Sequence, residues 1–75
     1  MQPGAIWKLK TPMLGVRTDA HPVAITLPQE AALRIVRRLE GTPYVEAEWD
    51  RMRVLVFEID LRDRGEKILA GEASA

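Results

Sequence analysis

The segment Tyr44-Val-Glu-Ala-Glu-Trp49 alternates without exception, placing Val45, Ala47 and Trp49 on one side and Glu46 and Glu48 on the other. A period of two with this polarity describes an extended strand that lays one face on a core and shows the other to water. Asp50-Arg-Met-Arg53 then turns the chain into Val54-Leu-Val-Phe-Glu-Ile59, although the Gly or Asn that a two-residue hairpin prefers is missing. If Val54 and Val56 face Trp49 and Ala47, then Leu55 and Phe57 point to the opposite side of the sheet. Apolar residues there need a cover of their own.

The segment before this hairpin admits two readings. In residues 28–40, Ala32, Ile35, Val36 and Leu39 fall at i, i+3, i+4 and i+7, the spacing of an amphipathic helix with Gly41 and Pro43 beyond its end. That reading gives an α+β domain with a helix at 28–40. The other reading makes Pro28-Gln-Glu-Ala31 a tight turn and Ala32 to Leu39 a strand paired with Tyr44–Trp49. With Leu39 near Pro43, one register puts Leu33, Ile35, Val45, Ala47 and Trp49 on one face. Arg34 then lies opposite Glu48, and Val36 opposite Glu46. Both faces are satisfied together, which favours the strand.

Elsewhere, Ala5-Ile-Trp-Lys-Leu-Lys10 alternates as a first strand, Pro12 and Gly15 interrupt, and Val23-Ala-Ile-Thr-Leu27 forms the second. Residues 60–64, Asp60-Leu-Arg-Asp-Arg64, read as one helical turn. An acceptor stands at its start, bases lie toward its end, and Gly65 marks a left-handed exit. Glu66-Lys-Ile-Leu69 returns as a short last strand. The sum is an all-β domain of about five strands spanning residues 5–70, with loose ends at 1–4 and 71–75.

Composition narrows the chemistry. The chain has 75 residues, no Cys, one His and one Ser in the tail, so the inventory for a nucleophile activated by a base is thin and a triad is effectively excluded. His21 lies between Ala20 and Pro22 as a turn residue, and the five glycines are too scattered for a phosphate cradle. Asp60 and Asp63 lie three apart on one helical turn, but capping and solvation explain them better than a metal does. No catalytic residue, cofactor or metal is expected, and the chain is not read as an enzyme. The longest purely apolar run is Val54-Leu-Val-Phe57, far from the ~18 residues that a membrane span needs. No Cys and no apolar leader fit the cytoplasm. Eleven bases balance eleven acids, so tight sequence-blind binding to nucleic acid is not expected and self-association is somewhat favoured.

Three stretches, Val45-Glu-Ala-Glu-Trp-Asp50, Val54-Leu-Val-Phe57 and Asp60-Leu-Arg-Asp-Arg-Gly-Glu66, together with Ile25-Thr-Leu-Pro28, resemble a family of small, functionally uncharacterised bacterial proteins. The likeness covers about residues 7–68. Its marks are a Trp-acidic turn, a hydrophobic-Phe strand and an Asp-Leu-Arg-x-Arg-Gly ending. The resemblance implies a small SH3-like barrel and supplies no activity. Where family members usually carry Gly, near Pro28 and in the turn after Trp49, this chain has Gln29-Glu30 and Arg51-Met52.

Two surfaces follow. Leu55 and Phe57, with Met13 and Leu14 as neighbours, form a candidate contact for another protein or a second copy, unless the strand carrying Trp7 covers them. Arg34, Arg37, Arg38, Arg51 and Arg53 fall on two adjacent strands or their turns and form the candidate contact for nucleic acid. That reading is the less favoured, since Glu46, Glu48 and Asp50 lie on the same strands. The expected role is a non-catalytic interaction module.

Overall fold

A computed structural model describes residues 1–19 and 21–71 of the chain. Seven strands run in the order β1 (Ile6–Leu9), β2 (Met13–Arg17), β3 (Val23–Leu27), β4 (Ala32–Arg38), β5 (Tyr44–Trp49), β6 (Met52–Phe57) and β7 (Gly65–Leu69), with one short helix, α1 (Glu58–Arg64), between β6 and β7. Every pairing is antiparallel, and the spatial order is β3-β2-β6-β5-β4-β1-β7. The domain is therefore all-β. Residues 28–40 form turn and strand, and the helical periodicity there is overridden by pairing on both sides, with β1 and with β5.

The connections show that this sheet rolls. β3 and β4 are separated by three strands in the sheet, roughly 19 Å at ordinary strand spacing, yet a single tight turn joins them, with the Ala31 N–H bonded to the Pro28 carbonyl at 3.1 Å. Only a sheet curled back on itself brings those ends together. The Glu30 N–H reaches the Leu9 carbonyl at 2.8 Å, fastening the same turn to β1. Inside the curl lie Leu9, Leu27, Leu33, Ile35, Val45, Val54, Val56 and Leu61, all fully buried. Leu61 comes from α1, which closes the core between β6 and β7.

The expected register of β4 on β5 holds at Arg34 opposite Glu48 and Ile35 opposite Ala47. Beyond that point the pairing shifts by one residue, so Glu46 faces Arg37 and not Val36. This bulge keeps the buried face unchanged while setting an arginine against the glutamate, with Arg37 Nε 2.9 Å from Glu46 Oε1. The turn after Trp49 is a two-residue one: Trp49 pairs with Met52, and both Asp50 (φ 50°) and Arg51 (φ 64°) lie in the left-handed region, as a type I′ hairpin demands. Glu30, third residue of the Pro28–Ala31 turn, also has positive φ (74°), the mark of a type II turn. Three non-glycine residues therefore hold a conformation that glycine adopts more readily.

Four expectations need correction. Seven strands replace about five; six segments read as extended above, and the one passed over is β2. Its Gly15 does not break the strand; a Cβ there would sit 3.2 Å from Leu27 Cδ1 and 3.3 Å from Val56 Cγ1, so a side chain would press on the core and those methyls would have to give by a few tenths of an ångström. Gly65 does not make a left-handed exit, since its φ is −118°. It is needed for space, because a Cβ would lie 2.6 Å from the Leu61 carbonyl oxygen. Finally, α1 begins at Glu58 and not at Asp60; Asp60 lies in its first turn and caps nothing, while Arg62 and Arg64 occupy the last turn. At the ends, the Gly4 N–H donates to the Ile35 carbonyl at 2.8 Å, and Gly71 packs beside Gln2 and Pro3. Residues 72–75 of the expected loose end lie outside the described residues.

Candidate functional site

The register assigns each residue of the outer sheet face to a row. One row runs Ala24, Val16, Leu55, Glu46, Arg37 across β3, β2, β6, β5 and β4. A second contains Thr26 beside Leu14 and Phe57 beside Tyr44. A third runs Arg53, Glu48, Arg34, Ile6 across β6, β5, β4 and β1. Hydrophobic positions thus collect on the β3-β2-β6 side and charges on the β6-β5-β4 side. Both halves belong to one surface.

On the apolar half Leu14 is 68% exposed, Phe57 43% and Val16 36%, with Leu55 and Tyr44 half-buried. Tyr44 and Phe57 hold each other in a tilted stack with ring centroids 4.9 Å apart. These side chains line a groove of about 250 Å³ that also touches Ala24. Of the four residues expected to form a protein contact, Leu14, Leu55 and Phe57 are brought together here. Met13 is not: alternation along β2 sends it to the other face, where it is 5% exposed within the core. Trp7 does not act as a cover either. It pairs with Leu33 on the inner side and packs against the core cluster. Val16, Ala24 and Tyr44 were missed by sequence reasoning. The period-two signal in Met13-Leu-Gly-Val16 exposes Val16, once Gly15 is read as a strand residue.

On the charged half the arginines meet carboxylates. Arg34 pairs with Glu48, while Glu46 accepts from Arg37 at 2.9 Å and lies 3.5 Å from Arg53. Arg38 reaches across to Glu58 of α1 at 3.1 Å, which Arg62 also approaches at 3.2 Å. The hydrogen bond from Arg34 holds the Glu48 carboxyl below its ordinary pKa. Away from this face, Arg17 does the same to Asp19, and Glu30 raises the Lys8 ammonium. Arg51, in its strained turn, has no carboxylate partner among the described residues. The structure thus brings Arg34, Arg37 and Arg53 onto one surface, interleaved with Glu46 and Glu48, and draws Arg38 toward the helix.

His21 is exposed in a bend, and among the described residues no three His, Asp or Glu side chains gather as metal ligands. No helix is long and apolar enough to cross a membrane among the described residues. Comparison with protein-family models, with curated proteins and with solved structures gives no match to this chain.

Proposed function

We propose that the chain is a non-catalytic interaction module that binds protein through the apolar half of its outer face, with Leu14, Val16, Leu55 and Phe57 as the contact and Tyr44 fixing the Phe57 ring. The observation that carries this reading is the exposure of Leu14 and Phe57 beside one another on a sheet whose opposite face already holds a complete core. Hydrophobic rings and methyls in a shaped groove, with the Asp60 carboxylate on its wall and the paired charges of the neighbouring strands beyond, have the anatomy of a contact patch. The resemblance to small SH3-like barrels supports the same reading, since a rolled sheet of short strands presents such a face rigidly. Cytoplasmic residence fits the cysteine-free composition.

Binding of nucleic acid through Arg34, Arg37, Arg38, Arg51 and Arg53 is the second reading. Four of these five are already neutralised by carboxylates, which weakens it. One experiment separates the two. Light scattering and retention on single-stranded nucleic acid at low salt are measured for wild type, Phe57→Ala and the pair Arg37→Glu, Arg38→Glu. The contact reading predicts that Phe57→Ala weakens association with protein and that no variant is retained by nucleic acid. Retention of wild type that is lost in the arginine pair, and unchanged in Phe57→Ala, reverses the assignment.

A further inference from the structure

The two outer strands of the sheet are built differently. β7 carries Glu66 and Lys67, has a register shift against β1 between the partners of Ile6 and Trp7, and has α1 packed on it. Charge, irregularity and cover are among the means by which natural sheets stop an edge from pairing with another chain; proline is another, and beside β3 it stands only beyond the strand's two ends, at Pro22 and Pro28. β3, Val23-Ala-Ile-Thr-Leu27, has none of them. It is uncharged, rich in β-branched residues, and regularly paired with β2 over all five of its residues. Among the described residues β2 is its one neighbour.

The ladder identifies which groups this edge offers. In antiparallel pairing, successive residues bond alternately to the strand on either side. The Thr18 N–H donates to the Arg53 carbonyl, so the even-numbered residues of β2 serve β6 and the odd-numbered ones serve β3. On β3 the residues opposite those odd positions are Val23, Ile25 and Leu27. The N–H and C=O groups of Ala24 and Thr26 therefore point outward. The next outward positions on either side are Pro22 and Pro28, which have no N–H to give.

We infer that β3 is a self-pairing edge: two copies of this chain join antiparallel along it, about a two-fold axis at Ile25. The inference rests on the reading of the outer face as a protein contact, and names its partner. A second copy fits because the strand complements itself. About Ile25, the outward groups of Ala24 meet those of Thr26 on the other copy, and Val23 lies opposite Leu27. The donorless Pro22 falls opposite the donorless Pro28, so the ladder ends at the same place on both chains. No charge opposes a like charge, and the chain's net charge of zero adds no repulsion. Joined in this way, the two outer faces become one, with the Leu14 and Val16 of each copy flanking the seam.

Sedimentation equilibrium and amide hydrogen exchange on the full chain test the inference. Ala24→Pro removes a donor that β2 does not use, and is expected to weaken self-association at least about tenfold, the loss of a pair of hydrogen bonds per dimer. Glu66→Lys on the opposite edge is expected to leave it unchanged. In wild type, raising the concentration slows exchange at the Ala24 and Thr26 amides, while Ile25, already bonded to β2, is unaffected. A wild type that stays monomeric at high concentration overturns the inference, as does exchange at Ala24 and Thr26 that ignores concentration. Association that Phe57→Ala weakens and Ala24→Pro does not also overturns the edge pairing, but leaves the contact face standing. Association that Ala24→Pro weakens and Phe57→Ala does not supports the edge and shows that Phe57, two strands from the seam, takes no part in it.

Discussion

The two halves of the outer face are made by strands of the same period, and their solvent-facing residues have opposite fates. On the β6-β5-β4 side Arg34, Arg37 and Arg53 stand across from Glu46 and Glu48, so the chain satisfies its own charges. On the β3-β2-β6 side Leu14, Val16 and Phe57 meet one another and water. One half is complete within the described chain and the other is not. Exposed groups alone thus say little about partners; what matters is whether a neighbouring strand has already answered them.

The comparison breaks if the apolar half holds the fold together as the inner face does. Ile35→Ala, which empties a fully buried site, is expected to lower unfolding stability by about 2–5 kcal/mol in urea titrations. Phe57→Ala loses the buried part of the ring, which is 43% exposed, and its stack on Tyr44, together about 1–2 kcal/mol. Equal losses would make Phe57 a core residue and remove the reason to look for a partner.

The turn that joins the two halves gives a smaller effect of opposite sign. Arg51 holds a positive φ and pairs with no carboxylate among the described residues, so Arg51→Gly is expected to relieve strain and raise stability by about 1 kcal/mol. Thermal unfolding checks this. A destabilised variant would show that Arg51 makes a contact of its own.

Smallest is the contribution of the charged half. Glu48, with its pKa lowered by Arg34, stabilises the fold above the ordinary carboxylate pKa, and that stabilisation is lost as the pH falls through the lowered value. In Glu48→Gln the acid-side decline in stability becomes shallower, which urea midpoints across an acidic pH series would show. An unchanged decline would mean that the Arg34–Glu48 pair contributes nothing, as exposed pairs often do.

Much of this fold was legible where two strands constrained each other. The Arg34–Glu48 pairing and the Pro28–Ala31 turn followed from fitting residues 32–39 to 44–49, because a slip of one residue would have buried charge. The bulge at Val36 was not legible, since it leaves every buried position in place and changes only which side chain meets Glu46. β2 was hidden for another reason. Glycine breaks many strands, and only tertiary closeness to Leu27 and Val56 shows that Gly15 belongs inside one. Missing β2 placed Met13 on the contact surface and left out Val16, so three of the four expected contact residues fell together.

The central claim is that the apolar half of the outer face meets protein, with a second copy of the chain as the partner. Methyl resonances followed as the chain is concentrated from dilute solution test it most directly. Leu14, Val16 and Leu55 are expected to shift together with concentration, while Ile35 and Val45, sealed in the core, keep their positions. Shifts absent from all three outer methyls, or confined to residues around the arginines, would contradict the account.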